Sequence, residues 1–426
     1  MENRIDALRA FLDASHSVYH AVDHLAKTVE NAGYTRLSEG QKWVLVPGGK
    51  YYLIRGGTAL IAFRIPEGRP QGFMMSASHS DRPTFKVKEN AEVCGAYTRL
   101  LVERYGGMLI APWLDRPLSV AGRVMVDTGA GLESRLVDID RDLLMIPNVA
   151  IHMNRQANEG YKWNPAVDTL PLLGGKNAKG KLERLLEKAA GGKILGHDLY
   201  LYVRQKATVW GMDKEFISSA ALDDLQCAWG CTQGFLAAGD SESIPVLCVF
   251  DSEEVGSSSV QGAASRLLED TISRISVGLE LDEQLLLANS FMVSADNAHA
   301  LHPNHPELSD SSNAPVLGGG IVIKFNANLR YTTDGASAAV MRKICQKANV
   351  PVQTYCNRAD IPGGSTLGNI SLAHVSVPSV DIGLAQLAMH SCYETAGVND
   401  SLYLEDAMAA YYSTTLENKD GKYIIR

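Results

Sequence analysis

Residues 72–81 read Gly-Phe-Met-Met-Ser-Ala-Ser-His-Ser-Asp, an apolar segment that ends in polar side chains. A short apolar run of this kind is typical of a buried β-strand. His79 and Asp81 come directly after it. Ligands in open α/β sheets bind beyond the carboxyl ends of the strands, where the loops converge. The segment therefore predicts an α/β fold with a functional site at the end of this strand.

The same pattern, a buried strand followed by side chains that can bind metal, recurs at three further places. These are residues 244–250 before Glu253 and Glu254, residues 291–294 before Asp296, and residues 379–382 before His390. Other strands are expected at 51–55 and 58–65 as a hairpin, at 321–325 and at 352–355, with helices at the chain start and at 335–348. Carboxylate and imidazole ligands suit zinc, manganese or cobalt.

The middle of the chain has a different character. From about residue 88 to residue 210, short β-like runs alternate with turns that contain Gly and Asn. We therefore predict a catalytic α/β unit formed by residues 1–87 and 211–426, interrupted by a β-rich insertion at 88–210. The polar, turn-rich stretch 158–181 within the insertion is expected to be an exposed loop.

Composition excludes several classes of protein. The chain has 426 residues, 46% of them hydrophobic and 21% charged, which is typical of a globular protein with a large core. The formal net charge of −8 argues against a nucleic-acid partner. The seven cysteines form no Cys-x-x-Cys pair, so a thiolate zinc site is not indicated. A charged N-terminus and the lack of an apolar run of ~20 residues predict a cytoplasmic protein with no membrane partner.

Two of the polar segments admit both a metal-binding and a structural explanation. Asp81 could accept the second ring N–H of a metal-bound His79, and a surface turn capped by Ser80 and Asp81 is the alternative. Adjacent residues of an extended chain point in opposite directions. One of Glu253 and Glu254 could therefore bind metal while its neighbour faces the substrate as general base on a metal-bound water. A solvated acidic turn is the alternative there.

Two charged groups in apolar surroundings also need partners. Asp223 and Asp224 are adjacent acids in an apolar frame, and a carboxylate that bridges two metals would neutralise the charge. An N-cap at Asp223 for a helix that begins near Leu225 is the alternative. Lys324 ends an apolar run, where its amine could pair with a substrate carboxylate or extend to solvent from an edge strand. The residues alone are compatible with both explanations in each case.

Taken together, the ordered motifs resemble the aspartyl aminopeptidase family of zinc metallopeptidases over essentially the whole chain. The motifs are His79-Ser80-Asp81, Leu222-Asp223-Asp224-Leu225, Glu253-Glu254-Val255-Gly256-Ser257, Ser294-Ala295-Asp296-Asn297-Ala298-His299-Ala300 and Ala388-Met389-His390-Ser391. The resemblance implies an α/β/α sandwich of the zinc-dependent exopeptidase type with an inserted β-rich dimerisation domain. It also implies two Zn²⁺ ions per subunit, which Co²⁺ or Mn²⁺ could replace.

The resemblance further implies a role for each site residue. The implied metal ligands are His79, Asp223, Glu254, Asp296 and His390, with Asp223 bridging the two ions. Glu253 is the implied general base, and Asp81 the residue that orients His79. The implied substrate contacts are His152, Asp296, His299, Lys324 and Tyr331. In the wider clan a cis peptide bond follows the bridging aspartate, so one is expected between Asp223 and Asp224.

In this family the insertion forms dimers, His152 reaches the active site of a neighbouring subunit, and the assembly is a homo-oligomer of twelve chains, a dodecamer. The expected function is therefore removal of N-terminal residues from short peptides, with the family's preference for Asp or Glu. The chain departs from better-studied members at Ala220-Ala221, Asp224 and Gly363, which leaves that preference open. A bimetallic deacylase acting on non-peptide amides and a catalytically silent metal-binding scaffold are the alternative functions.

Overall fold

The computed structural model of the chain describes residues 2–364, 366–419 and 421–426. Its α-helices are α1 (Glu2–Ala14), α2 (Val18–Asn31), α3 (Pro165–Asp168), α4 (Lys181–Ala190), α5 (Leu222–Ala237), α6 (Leu267–Gly278), α7 (Glu283–Ala288), α8 (Gly335–Lys347), α9 (Leu367–Ser371) and α10 (Val398–Tyr412). Within these three ranges, no helix combines the length and the apolar character needed to cross a membrane.

The strands are β1 (Thr35–Arg36), β2 (Lys50–Arg55), β3 (Ala59–Arg64), β4 (Phe73–His79), β5 (Thr84–Cys94), β6 (Tyr97–Tyr105), β7 (Leu118–Asp127), β8 (Leu132–Asp138), β9 (Leu172–Gly175), β10 (Ile194–Val203), β11 (Thr208–Trp210), β12 (Phe216–Ser219), β13 (Ile244–Phe250), β14 (Phe291–Ala295), β15 (Ala298–His299), β16 (Ile321–Phe325), β17 (Val352–Cys356), β18 (Ser379–Gly383), β19 (Ala385–Leu387), β20 (Glu394–Gly397), β21 (Leu416–Lys419) and β22 (Lys422–Ile425). The strands predicted outside the insertion are present with ends shifted by a residue at most.

Among the described residues, the largest sheet has nine strands in the order β1-β2-β3-β13-β4-β14-β18-β16-β17. Its central strands β13, β4, β14 and β18 run parallel to one another. Phe250, the last residue of β13, pairs in register with His79, the last residue of β4. Because parallel strands end at the same edge of a sheet, the residues that follow these strands converge there.

Helices cover both faces of this sheet. α1, α2, α5, α8 and α10 pack on one face, and α6, α7 and α9 pack on the other. Successive side chains of β4 alternate between the faces, so Met74 belongs to the first core and Met75 to the second. Both are fully buried, which explains why the strand is apolar at consecutive positions. The predicted α/β/α sandwich is confirmed.

A second sheet, in the order β8-β7-β10-β5-β6-β9, is built from strands between Thr84 and Val203. It has a hydrophobic core of its own, which includes Phe85 and Leu201. The expectation that residues 158–181 form only a loop is wrong, because this stretch contains α3 and β9, and β9 pairs with β6 at the edge of the sheet. The division of the chain into 1–87 plus 211–426 and 88–210 stays a prediction.

A smaller sheet, β11-β12-β20-β19-β15, continues from the carboxyl edge of the nine-stranded sheet. Its strands β15 and β19 begin within a few residues of the ends of β14 and β18. It therefore carries His299 in β15 and Glu394 in β20 to the same edge as His79. β11, at the end of the predicted insertion, belongs to this sheet rather than to the six-stranded one.

Candidate metal centre and active site

Five side chains converge beyond the carboxyl ends of the parallel strands. His79 is the last residue of β4, Asp296 follows β14, and Glu254 lies in a short 3-10 turn after β13. Asp223 lies in the first turn of α5. His390 follows β19 and has a left-handed backbone with φ of 66°. These are the five residues that the family resemblance implied as ligands, and the structure brings them together.

The Asp223 carboxylate lies between the two histidines. Its Oδ1 is 3.5 Å from His79 Nε2, and its Oδ2 is 3.6 Å from His390 Nε2. Asp296 Oδ1 is 4.0 Å from His79 Nε2, whereas Glu254 Oε2 is 3.5 Å from His390 Nε2. The cluster therefore has two halves that share one carboxylate. The inner half consists of His79, Asp223 and Asp296, and the outer half of Asp223, Glu254 and His390.

The donor atoms of this cluster fit a divalent metal ion. In each half, one ligand atom from every residue lies within 4.8 Å of the others. Among the described residues, Asp223 Oδ1 and Glu254 Oε1 are buried and have no hydrogen-bond partner. A buried carboxylate oxygen without a partner is costly, and a coordinated cation removes that cost. Imidazole nitrogen with carboxylate oxygen is a common donor set for zinc, so the residues present fit zinc.

The pKa values of the clustered acids reflect their burial and mutual repulsion. Burial raises the pKa of Asp296 to about 6, although the charge of Lys324 opposes the rise. Burial and the nearby Asp223 carboxylate raise the pKa of Glu254. Burial also acts to raise the pKa of Asp223, but the two histidines hold it below its usual range. A cation placed among these carboxylates would favour the charged form of each.

Asp81 contacts both the His79 ring and the turn that carries Glu253 and Glu254. His79 Nδ1 lies 3.1 Å from the main-chain carbonyl of Asp81 and 3.4 Å from its carboxylate. An Nδ1–H that donates there leaves Nε2 free to bind metal. The Asp81 carboxylate also accepts hydrogen bonds from the backbone N–H groups of Glu253 and Glu254, at 3.1 and 3.2 Å. The surface-turn alternative is wrong, because Asp81 is only 2% exposed.

Glu253 lies beside the cluster without belonging to either half. Together with His79 and Glu254 it offers a further group of ligand-competent atoms within 4.8 Å of one another. Burial raises the pKa of Glu253 to about 8, although His79 opposes the rise. The alternative of a solvated acidic turn is wrong, because the Glu254 side chain is only 3% exposed. A carboxyl group with a pKa near neutrality is suited to proton transfer.

The two adjacent acids of α5 have different environments. Asp223 and Asp224 have non-helical backbone angles, so the regular helix begins near Leu225, as the N-cap alternative supposed. Among the described residues, however, no backbone N–H of that helix donates to the Asp223 carboxylate, so the cap is not made. The peptide bond between Asp223 and Asp224 is cis, as predicted. Asp224 Oδ2 accepts a hydrogen bond from the His79 backbone N–H at 3.1 Å, and burial raises the pKa of Asp224. Asp223 therefore faces the two histidine rings, whereas Asp224 faces the backbone of β4.

Glu394, in β20, is a site residue that the sequence analysis missed. It is 1% exposed, and its two carboxylate oxygens accept hydrogen bonds from the backbone N–H groups of Asp223 at 3.0 Å and His390 at 2.8 Å. Burial raises the pKa of Glu394 to about 8. It thus fixes the backbone of two predicted ligands at once. A sequence signal existed, since Glu394 is the only charged residue between His390 and Asp400.

Lys324 lies on the other side of Asp296. Its strand β16 is flanked by β18 and β17, and the residue is 1% exposed, so the edge-strand alternative is wrong. The Nζ donates to the Asp296 main-chain carbonyl at 2.7 Å and lies 5.1 Å from the Tyr331 ring centre. Burial acts to lower the pKa of Lys324, but Asp296 and Tyr331 hold it above its ordinary value. The amine therefore remains charged at neutral pH.

Three of the predicted substrate contacts, Asp296, His299 and Tyr331, lie around Lys324. The His299 and Tyr355 ring centroids are 6.1 Å apart, and those of Tyr331 and Tyr355 are 6.3 Å apart. Tyr331 is buried, whereas His299 is exposed at the edge strand β15. Tyr355 lies close to both rings and was not predicted as a site residue. These side chains form one wall next to the inner half.

His152 lies elsewhere. It occupies an exposed turn of the insertion, between Ile151 and Met153, which are 48% and 83% exposed. Among the described residues, no hydrogen bond or ion pair joins His152 to the metal cluster. Its predicted contact with substrate stays a prediction.

An α/β/α sandwich with imidazole and carboxylate groups gathered at the ends of its parallel strands, and a further acid beside them, defines a metal-dependent hydrolase. Comparison with known proteins makes this class specific. The model of the family described as Aminopeptidase I zinc metalloprotease (M18) matches residues 11–412. The probable M18 family aminopeptidase 2 of Clostridium acetobutylicum is 40% identical over 432 residues, which cover 97% of this chain and 100% of that protein.

The chain therefore belongs to the M18 family, and it is a zinc metallopeptidase that acts as an aminopeptidase. The family resemblance found in the motifs is confirmed. Solved structures agree: a chain of the Ape4 and Nbr1 complex has a TM-score of 0.93 and 34% identity, with 97% of this chain and 86% of that chain covered. The S. cerevisiae mApe1 dodecamer has a TM-score of 0.86 and 26% identity, with 97% of each chain covered.

Proposed function

We propose that this M18 aminopeptidase uses a pair of divalent ions, normally zinc, to remove N-terminal residues from short peptides, acidic residues among them. The Asp223 carboxylate carries the proposal, because its two oxygens face two different histidines at 3.5 and 3.6 Å. A carboxylate in this position suits a ligand shared by two ions. In this proposal the inner half holds one ion and the outer half holds the other.

When bound, such a pair of ions polarises the scissile carbonyl and lowers the pKa of the attacking water. Glu253 is the proposed general base, which takes a proton from that water and delivers it to the leaving amine. Burial raises the pKa of Glu253 above its ordinary value and the charge of bound cations would lower it again, so the carboxyl is suited to exchange a proton near neutral pH, which supports this role. Asp81 accepts the backbone N–H of Glu253 and so orients the base.

The wall around Lys324 is the proposed site for the substrate's first residue. The ammonium group has three N–H donors, and the carbonyls of Asp296 and Asn297 accept at most two of them. A donor therefore remains for an acidic side chain, with His299 and Tyr331 beside it. The free α-amino group of the peptide would lie on the side of the Asp296 carboxylate, which supports the choice of N-terminal residues.

The proposed assembly is a homo-oligomer, for which the S. cerevisiae mApe1 dodecamer is a precedent. Exposed apolar residues on both sides of His152 support an interface there, because exposed apolar surface often marks contact between proteins. In this proposal His152 reaches the active site of a neighbouring subunit. The cytoplasmic location and the lack of a nucleic-acid or membrane partner stay predictions.

The proposal is tested by counting metal and by mapping substrates. We expect metal analysis of the zinc-loaded protein to give two ions per chain. A panel of aminoacyl chromogenic substrates should be cleaved, with Asp and Glu substrates compared against Lys and Leu, whereas the matching N-acetylated substrates should resist. One ion per chain would contradict the dinuclear centre, and preferential cleavage of N-acetylated substrates would instead support the deacylase alternative.

A further inference from the structure

Residues 105–109, called here the 105–109 segment, lie against the outer half, although the segment begins at the last residue of β6 in the six-stranded sheet. The Gly107 carbonyl accepts a hydrogen bond from His390 Nδ1. The Leu109 backbone N–H donates to the His390 carbonyl at 3.0 Å. His390 is therefore held through its ring and through its backbone by one short segment of the other sheet.

The bond to Gly107 decides which ring nitrogen of His390 faces the centre. An Nδ1–H that donates to a carbonyl leaves the lone pair on Nε2, and Nε2 lies 3.6 Å from Asp223 and 3.5 Å from Glu254. His390 depends on this contact more than a core residue would, because its side chain is 34% exposed. Packing alone does not fix a ring with that much exposure.

Gly106 brings the same segment directly against the second outer ligand. Its backbone is left-handed, with φ of +73°, and a Cβ at this position would lie 3.1 Å from the Cβ of Glu254. Contacts that short force the neighbour to move. Glycine at position 106 therefore permits the close approach of the 105–109 segment to Glu254.

Tyr105 connects the segment to the turn that carries Glu254. Its hydroxyl donates to Asp81 Oδ2 at 2.7 Å, and the same oxygen accepts the Glu254 backbone N–H at 3.2 Å. Removal of the hydroxyl would leave a buried carboxylate oxygen with one donor fewer. Both ligands that belong to the outer half alone are thus supported by the 105–109 segment.

The inner half has a different support. His79 is the last residue of the central strand β4, and its Nδ1 lies 3.1 Å from the carbonyl of Asp81, two residues along the same chain segment. Asp296 directly follows β14, and its main-chain carbonyl accepts from the buried Lys324. These contacts are made within the nine-stranded sheet and its loops. The inserted sheet reaches this half only indirectly, through the Tyr105 hydroxyl that donates to Asp81.

We propose that the 105–109 segment is a positioning element for the outer half, through which the inserted sheet controls how tightly one of the two ions is held. This inference rests on the two-ion centre of the proposed function. It predicts that the two ions differ in their dependence on the inserted sheet. Contacts that orient metal ligands typically change metal affinity by about 10–100-fold when they are removed.

The test uses two substitutions with matched controls. Gly106→Ala crowds Glu254, whereas Gly129→Ala introduces a methyl group at an equally left-handed glycine (φ +76°) of the same sheet with nothing within 4 Å. Tyr105→Phe removes the hydroxyl that binds Asp81, whereas Tyr200→Phe removes a hydroxyl from the ring that packs against Tyr105 at 5.9 Å. Each full-length protein is stripped of metal and titrated with Co²⁺ by calorimetry, and kcat and KM are measured separately.

We expect Gly106→Ala to weaken one of the two Co²⁺ sites by about 10–100-fold and to leave the other unchanged, and Tyr105→Phe to weaken that same site more than the other. The fall in activity should be reversed by excess metal, while both controls behave as wild type. Equal weakening of both sites, or two unchanged sites, would overturn the inference. If Gly106→Ala does not fold, Tyr105→Phe decides alone. Wild-type protein that binds two ions but cleaves no peptide would refute the proposed function and leave this inference standing.

Discussion

The nine-stranded sheet and the inserted six-stranded sheet meet at the same site but contribute different kinds of group. The first supplies ionisable side chains at the ends of parallel strands, such as His79 and Asp296. The second supplies the Tyr105 hydroxyl and the Gly107 carbonyl. Burial raises the pKa of Tyr105, so its hydroxyl remains a donor at neutral pH. One sheet thus carries the ionisable groups of the proposed metal centre, and the other carries neutral groups that contact them.

The side chains of the proposed metal centre and the hydrogen bonds that orient them therefore come from different parts of the chain. Ligand identity depends on a few residues that follow buried strands, and those strands are fixed by the two hydrophobic cores on either face of the sheet. Alignment depends on hydrogen bonds between segments far apart in the chain, such as that of His390 with Gly107. The two contributions should therefore respond differently to substitution, and the following predictions exploit that difference.

The largest effect is expected at Glu253, the proposed general base. Glu253→Gln keeps the shape of the side chain but removes its ability to accept a proton, so kcat should fall about 10²–10⁴-fold. Metal content and thermal stability should remain close to wild type. Kinetics on an aminoacyl substrate, together with metal analysis, checks both points. Glu280→Gln, at an exposed position, serves as the control. Near-normal turnover in Glu253→Gln would remove the residue from the mechanism.

A smaller effect is expected where one carboxylate aligns ligands of both halves. Glu394→Gln leaves one acceptor oxygen in place of two, so either Asp223 or His390 loses its backbone partner. Loss of such an orienting contact should lower metal affinity or kcat about 10–100-fold. Glu405→Gln, another buried glutamate whose partner is Arg4, controls for the loss of a buried charge. Equal behaviour of the two variants in a Co²⁺ titration would show that Glu394 has no special role.

The residues of the proposed metal centre could be located because their signal is local. A buried strand that stops at a histidine or an acid is visible in a window of ten residues, as at His79 and Asp296, and the order of the motifs identified the family. The first two helices and the helix at 335–347 were predictable from the regular spacing of their apolar residues, and the central strands from their continuous apolar runs. Helices α6, α7, α9 and α10 were not predicted. The cis bond after Asp223 was expected from the resemblance and is present.

The orienting groups could not be predicted in the same way. The Gly107 carbonyl is a backbone atom, so no residue type marks it, and its partner His390 lies 283 positions away. Glu394 is a lone acid in the sequence. Its role becomes visible only in the fold, where its carboxylate in β20 accepts a hydrogen bond from the Asp223 backbone N–H at the start of α5. Lys324 admitted two explanations because sequence does not tell an internal strand from an edge strand. The short elements α3 and β9 were missed because tertiary pairing, not spacing, stabilises them.

A still smaller effect is expected at His152, which lies in the insertion and is proposed to act on a neighbouring subunit. His152→Ala removes a polar contact to substrate, which should lower kcat/KM about tenfold or more, since such hydrogen bonds contribute about 1.5 kcal/mol. Co-expression with Glu253→Gln should restore activity, because mixed oligomers then contain sites with an intact Glu253 and a neighbour's intact His152.

The matched control pairs Glu253→Gln with Lys324→Met, two changes that affect the same subunit's site. This mixture should regain no activity, because each site still carries one of the two defects. Activity is measured after the mixed oligomers are separated by tandem affinity tags. No recovery in the test mixture would place His152 outside the neighbouring site. Equal recovery in both mixtures would remove the evidence that His152 acts across subunits.

The smallest effect is expected at the joint between the inserted sheet and the first helices. Asp198 of β10 accepts hydrogen bonds from Arg123 at 2.6 Å, Lys86 at 2.9 Å and the Tyr19 hydroxyl of α2 at 3.1 Å. Burial acts to raise the pKa of Asp198, but Arg123 and Lys86 hold it below its ordinary value. A carboxylate whose pKa is lower in the folded state stabilises the fold above its unfolded pKa, about 3.9.

Asp198→Asn should therefore lower the free energy of unfolding by about 1–3 kcal/mol at pH 7, as expected for partly buried hydrogen bonds to a charged group. The difference from wild type should shrink as the pH falls below about 4, because Asp198 then becomes protonated in both states. Urea unfolding across this pH range measures it. Asp6→Asn, which breaks an exposed pair with Arg9, should cost less than about 1 kcal/mol. A difference that persists undiminished at low pH would mean that Asp198 acts through packing rather than charge, and that its contact with α2 makes no electrostatic contribution to stability.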